Sequence, residues 1–332
     1  MPDLTLSIVM PVYNERSWVQ RSIPAVLAQA AAADLASVEA IIVDDGSTDG
    51  TSEVLDELAE VHPIKVVHQP NGGRLAARHA GLELAGGDMV LFIDSRIIMR
   101  DGALKFACEQ VAQGRRVWNA HVEIETGNPY AAFWDGIARV AWADYFSAPR
   151  TMSYGLDDFD RYPKGTTCFL APRDLLVQGM SSFTTFYADV RNANDDTTVI
   201  RHIAANESIW LSPDFCVDYT GRDSAQKFMK HANARGTVFV DGHLRKGGRF
   251  TPVILSFFPA SLAALVVVIR RPQLIPVGVL GIVASAAAMA KFKGLPGRLT
   301  RPVAMLAPAF AVAFGAGMWR GLLLAIQARA CK

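Results

Sequence analysis

Short apolar runs alternate with segments of helical period through the first hundred residues. Residues 5–12 form an apolar run that closes at Pro11, and the polar turn Tyr13-Asn14-Glu15-Arg16 follows. Residues 18–27 place Val19, Ile23, Val26 and Leu27 on one helical face, with Pro24 as a point of bending. A second apolar run, residues 40–43, ends on Asp44-Asp45. The turn Gly46-Ser47-Thr48-Asp49-Gly50 comes next, then a helix over 52–61 carrying Val54, Leu55, Leu58 and Val61. Residues 64–68 read as a short strand and Asn71-Gly72-Gly73 as a turn. Residues 74–85 read as an Ala-rich helix broken by Gly86-Gly87, and 89–93 as a strand ending on Asp94. Four strands alternating with three helices predict a parallel, doubly wound α/β sheet. Its carboxyl edge would gather Asn14, Glu15, Asp44, Asp45 and Asp94 on one rim, where ligands of open α/β sheets bind.

The middle of the chain is mixed. Residues 117–124 read as a strand, the aromatic-rich 129–146 as a helix, and 166–171 as a strand before Pro172. Asp195-Asp196 opens a helical segment, and 208–211 is a strand before Pro213. The tail changes character. Residues 252–269, 274–290 and 303–326 are apolar runs bounded by Arg or Lys, each near the ~20 residues that cross a bilayer. The second is rich in Ala and Gly, which leaves a helical hairpin in the interface as an alternative. Arg320 lies inside the third and either snorkels at its end or faces other helices. This predicts a domain over 1–250, in two halves (1–100 and 101–250), and a membrane domain over 251–332.

Composition sharpens this picture at three points. The 332 residues are 51% hydrophobic, and the excess sits after Thr251. A net charge of +1 gives no sign of a nucleic-acid partner. Cys108, Cys168, Cys216 and Cys331 lack metal-type spacing and fit thiols in a reducing compartment. No secretory leader is read at the start, because residues 6–12 are a strand. Arg245, Lys246 and Arg249 precede the first apolar run, and Lys291, Lys293, Arg298 and Arg301 separate the second from the third. Arg270 and Arg271, between the first and second, are the weak opposition, and by the positive-inside rule three spans would put residues 1–250 in the cytoplasm and the C-terminus outside.

Two carboxylates at a strand tip repel phosphate and suit hydrogen-bond donors such as ribose hydroxyls or a base N–H. A strand end with a helix-capping Asp is the plainer alternative for this octet. Four stretches together decide for the former: residues 7–15 (SIVMPVYNE), residues 43–51 (VDDGSTDGT), Asn71-Gly72-Gly73 through Ala77-Arg78, and Phe92-Ile93-Asp94. In order and spacing they resemble the family 2 glycosyltransferases of GT-A fold. The resemblance is strong over the first hundred residues and weaker beyond. Residues 165–169 with Arg173 are similar to the family's strand before the acceptor site, Asn194-Asp195-Asp196-Thr197 to its acidic pair at a helix start. Lys227, Lys230 and Arg235-Gly236 match a basic segment ahead of membrane helices.

The resemblance implies a nucleotide-sugar donor, a lipid-linked or membrane-proximal acceptor, the lipid bilayer as a partner, and a place in cell-envelope glycan assembly. Pro11, Tyr13, Glu15, Asp44, Asp45, Arg78, Asp94, Ser95 and Arg96 would bind the donor. Thr166, Thr167, Lys230 and Arg235 would meet the acceptor or its phosphate. Asp196 beside Asp195 would be the general base, its pKa raised by its neighbour, and the transfer would invert the anomeric carbon. The pair can instead cap a helix. One departure stands out. The family places Asp-x-Asp after its fourth strand, and the last Asp binds a divalent metal. Here the triplet is Asp94-Ser95-Arg96. Either Arg96 supplies the positive charge itself, or Asp94 still holds Mg²⁺ or Mn²⁺ with Arg96 as an added clamp. Transfer of another nucleotide-activated group, such as a polyol phosphate, and a non-catalytic nucleotide-sugar-binding scaffold are the competing functions.

Overall fold

The computed structural model describes residues 4–245 and 248–330; Lys246 and Cys331 lie outside them. The chain divides into two compact units, 1–123 with 148–184 and 195–220, and 124–147 with 185–194 and 221–332.

In chain order the elements begin with β1 (Thr5–Val12), α1 (Arg16–Ala31), β2 (Ser37–Asp44), α2 (Thr51–Val61), β3 (Ile64–His68), α3 (Arg74–Leu84) and β4 (Met89–Ile93). These are the predicted alternations, and α1 runs through Pro24. There follow β5 (Ile97–Met99), α4 (Ala103–Ala112), β6 (Val117–Asn119), β7 (His121–Ile124), α5 (Pro129–Ala141), α6 (Ala143–Phe146), β8 (Met152–Tyr154), β9 (Cys168–Pro172) and α7 (Arg173–Ser181). The chain closes with α8 (Thr197–Asn206), β10 (Ile209–Leu211), β11 (Cys216–Tyr219), α9 (Ala225–His243), α10 (Thr251–Arg270), α11 (Ile275–Phe292) and α12 (Gly297–Ala330).

The first unit is built on an eight-stranded sheet of order β3-β2-β1-β4-β9-β6-β10-β8. β3, β2, β1 and β4 are parallel, and β9 runs against both β4 and β6. Ile8, Val9, Ile41, Ile42, Val90 and Leu91 are fully buried, as expected of strands covered on both faces. A second sheet has the order β5-β11-β7. The single strand expected over 117–124 is two: the Ala120 amide donates to Cys168 O and the His121 amide to Phe215 O, so the chain changes sheets between Asn119 and His121. The helix expected over 129–146 is also two, divided at Trp142.

The second unit is helical. α12 packs on α9 and α5, with Phe310 against Phe133 and Trp134 (ring centroids 5.1 and 5.6 Å). α10, α11 and α12 are long and apolar enough to cross a membrane. The third apolar run, expected over 303–326, lies within a 34-residue helix.

Candidate active site

The carboxyl ends of β1 and β2 are locked together by their own turns. The register sets Pro11 beside Val43 and Val12 beside Asp44. The Asp45 amide donates to Val12 O (2.8 Å), the Asn14 amide to Ser47 Oγ (2.9 Å), and the Thr48 amide to Asn14 Oδ1 (2.7 Å). Asn14 holds φ 54°, in the left-handed region that Asn tolerates. Gly46 is required: its φ is +74°, and a Cβ there would lie 2.8 Å from the Asn71 amide nitrogen.

Asp44 and Asp45 are both buried, and each is already a hub. Asp44 Oδ1 accepts from the Ser47 amide (3.1 Å). Its Oδ2 accepts from Ser52 Oγ (2.5 Å) and meets His68 Nδ1 (2.9 Å). Burial raises the Asp44 pKa, but the bonds from Ser47, Ser52 and His68 outweigh it and hold the carboxyl below its usual range. Asp45 Oδ1 accepts from Gln69 Nε2 (2.7 Å) and the Gly72 amide (2.8 Å), and Oδ2 from the Gly73 amide (2.8 Å). A carboxylate offers about four acceptor positions. Three at each are thus taken by the protein, and the pair mainly shapes the rim.

Arg78 is buried on α3 and joins two carboxylates from distant parts of the chain. Its NH1 donates to Asp195 Oδ2 (2.5 Å) and its NH2 to Asp94 Oδ1 (2.8 Å). Arg74, one turn earlier, donates to Asp195 Oδ1 (2.9 Å). Burial raises the Asp195 pKa, but Arg74 and Arg78 together hold it below the usual carboxylate range. Asp195 is an ionised anchor between two guanidinium groups. Asp196 stands at the N-cap of α8 yet makes no side-chain capping bond to the helix, and it is partly exposed. Its Oδ1 accepts from Thr197 Oγ1 (3.2 Å), and its Oδ2 lies 3.6 Å from where a Cβ on Gly165 would be.

Beyond β4, the Asp94 amide donates to Thr167 O (2.8 Å), which ties the strand end to the loop before β9. Ser95 and Thr166 are buried and Tyr13 is exposed. Arg96 Nε donates to Glu15 Oε1 (2.7 Å), and the Arg96 guanidinium lies over the Trp18 ring, 5.6 Å from its centroid. The other Glu15 oxygen is buried without a partner. Lys230 and Arg235 are exposed on α9, in the helical unit. The sequence missed the structural parts of Arg74, His68, Gln69 and Asn119, whose Oδ1 accepts from the Gly165 amide (3.0 Å). The Asn71-Gly72-Gly73 turn was the available signal for the Asp45 cradle.

Among the described residues no three His, Cys, Asp or Glu side chains cluster as a metal cage. A Mg²⁺-type ion needs less, since one or two carboxylates plus substrate phosphate oxygens suffice. Asp94, about a quarter exposed with one oxygen held by Arg78, fits that lesser requirement.

A largely parallel sheet whose carboxyl edge carries such a polar rim is the architecture of the GT-A nucleotide-sugar enzymes. Residues 7–128 match the family model for glycosyl transferase family 2, and the chain carries a domain of that family. Glycosyltransferase GlyG of Streptococcus pneumoniae serotype 4 is 30% identical over 110 residues, 32% of this chain and 35% of that protein. An uncharacterized glycosyltransferase of Nostoc sp., alr2836, is 34% identical over 129 residues, 38% of each. The chain therefore spans little over a third of these relatives' length. Among solved structures, the fold is similar to mannosyltransferase PcManGT from Pyrobaculum calidifontis in complex with GDP-Man and Mn²⁺. The TM-score is 0.61 at 18% identity, covering 97% of this chain and 89% of that one. S. aureus TarS 1–349 in complex with UDP gives a TM-score of 0.54 at 18% identity, covering 99% and 92%. Both establish the GT-A fold.

Proposed function

We propose that the chain is an inverting glycosyltransferase that moves a sugar from a nucleotide-sugar donor to a lipid-linked or membrane-proximal acceptor, with Asp196 as general base. The observation that carries this is the division of labour in the acidic pair. Asp195 is neutralised by Arg74 and Arg78, while Asp196, next to it at the N-terminus of α8, is partly exposed. Asp196 takes the proton of the acceptor hydroxyl. The oxygen attacks the anomeric carbon as the bond from that carbon to the donor phosphate breaks, and the nucleoside diphosphate leaves from the opposite face.

Pro11, Tyr13, Glu15, Asp44 and Asp45 shape the nucleoside pocket, and Arg78, Asp94, Ser95 and Arg96 face the diphosphate. A divalent cation on Asp94 would neutralise the leaving diphosphate when bound, in keeping with the Mn²⁺ in the mannosyltransferase neighbour. Thr166 and Thr167 border the acceptor. The unit holding the site faces the cytoplasm, on the side where basic residues flank the apolar helices.

Two experiments test this. Asp196→Asn removes the base but keeps the shape, so turnover should be lost with nucleotide binding retained; unchanged turnover would overturn the assignment. Calorimetry with UDP, GDP, CDP and dTDP, each with Mn²⁺ and with EDTA, should find one tight nucleotide. Binding that survives EDTA assigns the diphosphate charge to Arg96, and binding lost in EDTA assigns it to a metal on Asp94. No binding of any of the four would favour the scaffold reading.

A further inference from the structure

We infer that α12 does not cross the bilayer but lies along its surface, so that only the α10–α11 hairpin enters the hydrocarbon and both ends of the chain share one side. This rests on the membrane association proposed above and revises the expected three spans. Composition alone admits α12 as a crossing helix, but its packing argues otherwise.

One side of α12 is committed to α5 and α9 along most of its length. Val303 fills the space at Gly136, where a Cβ would lie 2.4 Å from its Cγ2. Phe310 packs on Phe133 and Trp134. Asn233 Nδ2 donates to Ala313 O (3.2 Å) and Thr237 Oγ1 to Gly317 O (3.1 Å). Gly321 sits under Tyr187, whose hydroxyl donates to Thr237 O (2.7 Å). Contacts climb both helices together, from Phe228 near Phe310's neighbours to Thr237 at Gly317 and Gly321, so α9 and α12 run parallel. Carrying α12 through hydrocarbon would carry α9 with it. Yet α9 exposes Lys227, Lys230 and Arg235, each costing about 2.5–3.5 kcal/mol at the centre of a bilayer. It also buries Asp241, which accepts from Thr185 Oγ1 and from the amides of Phe186 and Asn194.

The opposite side of α12 has the pattern of an in-plane helix. Met305, Val312, Leu323 and Ile326 are exposed and recur at spacings that align them in one stripe. Arg298, Arg301 and Arg329 are exposed on the same helix, placed to meet anionic headgroups while the stripe sinks into the acyl boundary; Arg320 is also exposed but donates to Asn192 Oδ1 (2.8 Å).

The hairpin differs in kind. α10 is rooted by Ile254 and Phe258 beside Val240 and Met318, and by Trp319 Nε1 donating to Ser261 Oγ (3.1 Å). From Leu262 onward it is exposed all round, and so is the first half of α11. A Cβ on Gly278 or Gly281 would meet nothing within 4 Å. The second half of α11 returns to the unit, with Ala286 and Ala290 packed against Leu295, Leu299 and Val303. Both feet of the hairpin are basic: Arg245 and Arg249 before α10, and Lys291, Lys293, Arg298 and Arg301 after α11. Two crossings put all of these on one side against only Arg270 and Arg271 at the tip, and the excess is on the side that the positive-inside rule asks.

Cysteine labelling of the full chain in sealed membrane vesicles of both orientations tests this, without reading nucleotide binding or transfer. Buried Cys108, Cys168 and Cys216 are silent to an impermeant maleimide, so the native Cys331 reports the C-terminus. In a Cys331→Ser background, Glu57→Cys on α2 reports the sheet unit and Gln273→Cys the hairpin tip. The expected result is that Cys331 and Glu57→Cys label only in inside-out vesicles and Gln273→Cys only in right-side-out ones. Cys331 labelling together with Gln273→Cys would mean that α12 crosses. All three labelling from one side would mean that the hairpin does not cross. Either result overturns the inference and leaves the transferase reading untouched.

Discussion

At the scale of residues, the rim is a set of carboxylates already paired by the protein, and the pairing sets what each substitution does. Arg78 is buried between Asp94 and Asp195. Removing one partner of a buried ion network leaves charge uncompensated, at a cost of ~3–5 kcal/mol. Arg78→Met should therefore lower the unfolding free energy by about that amount in a denaturant titration. A loss below about 1 kcal/mol would mean that Arg74 holds Asp195 without it. His68 gives a pH signature. Its hydrogen bonds to Asp44 and Asp56 raise its pKa above the ordinary imidazole value. Its contribution is therefore complete below that ordinary value and is lost as pH climbs through the raised one. Asp44 has the opposite sign: its depressed pKa gives a contribution present above the ordinary carboxylate value and lost as pH falls through the depressed one. The pair is strongest between these limits. The stability gap between the natural chain and His68→Ala should narrow as pH rises from ~6 to ~9. A gap that stays constant over that range would rule out an ionic role for His68.

At the scale of elements, α3 is what brings Arg74 and Arg78 to the rim, and its position depends on one close approach. A Cβ on Gly81 would sit 2.4 Å from Val9 Cγ1 on β1. Gly81→Val should force the helix off the sheet and cost ~1–3 kcal/mol or more, with nucleotide affinity falling alongside, because Arg78 moves with its helix. Calorimetry and a thermal melt of the same variant check both halves; full affinity at wild-type stability would mean that the helix shifts freely. The alternation of strands and helices up to Asp94 was legible in the sequence because each signal is local: a run, a turn, a periodic helix. The Arg78–Asp195 bond was not, because its partners are 117 residues apart and nothing in the pattern near Asp195 names α3. The change of sheets between Asn119 and His121 was equally hidden. Residues 117–124 have one continuous strand-like pattern, and only the partners of the Ala120 and His121 amides divide it.

At the scale of the whole molecule, hydropathy set apart only the second, Ala- and Gly-rich run of the tail and gave the third no distinction from the first, since it records composition and not neighbours. The packing separates a hairpin that stands free from a helix that completes a core, and the two should respond differently to deletion. Truncation after residue 250 removes α12 and strips the cover from Gly236, Thr237 and Val240 on α9 and from Phe133 on α5. Exposing a contiguous apolar patch of this kind favours aggregation. Such a truncation should be recovered in aggregates and not as a soluble enzyme. Replacing only 262–289 by a Gly/Ser linker keeps α12 on α9 and α5 and removes the most exposed apolar surface. That variant should fold, bind the same nucleotide as the full chain, and behave as a peripheral protein released from membranes by alkaline or high-salt washing, since α12 retains its stripe and its arginines. Fractionation of both variants, followed by calorimetry on the soluble material, makes the comparison. A soluble, nucleotide-binding 1–250 product would show that α5 and α9 need no cover from α12. A linker variant that still resists washing would mean that α12, not the hairpin, is the principal anchor.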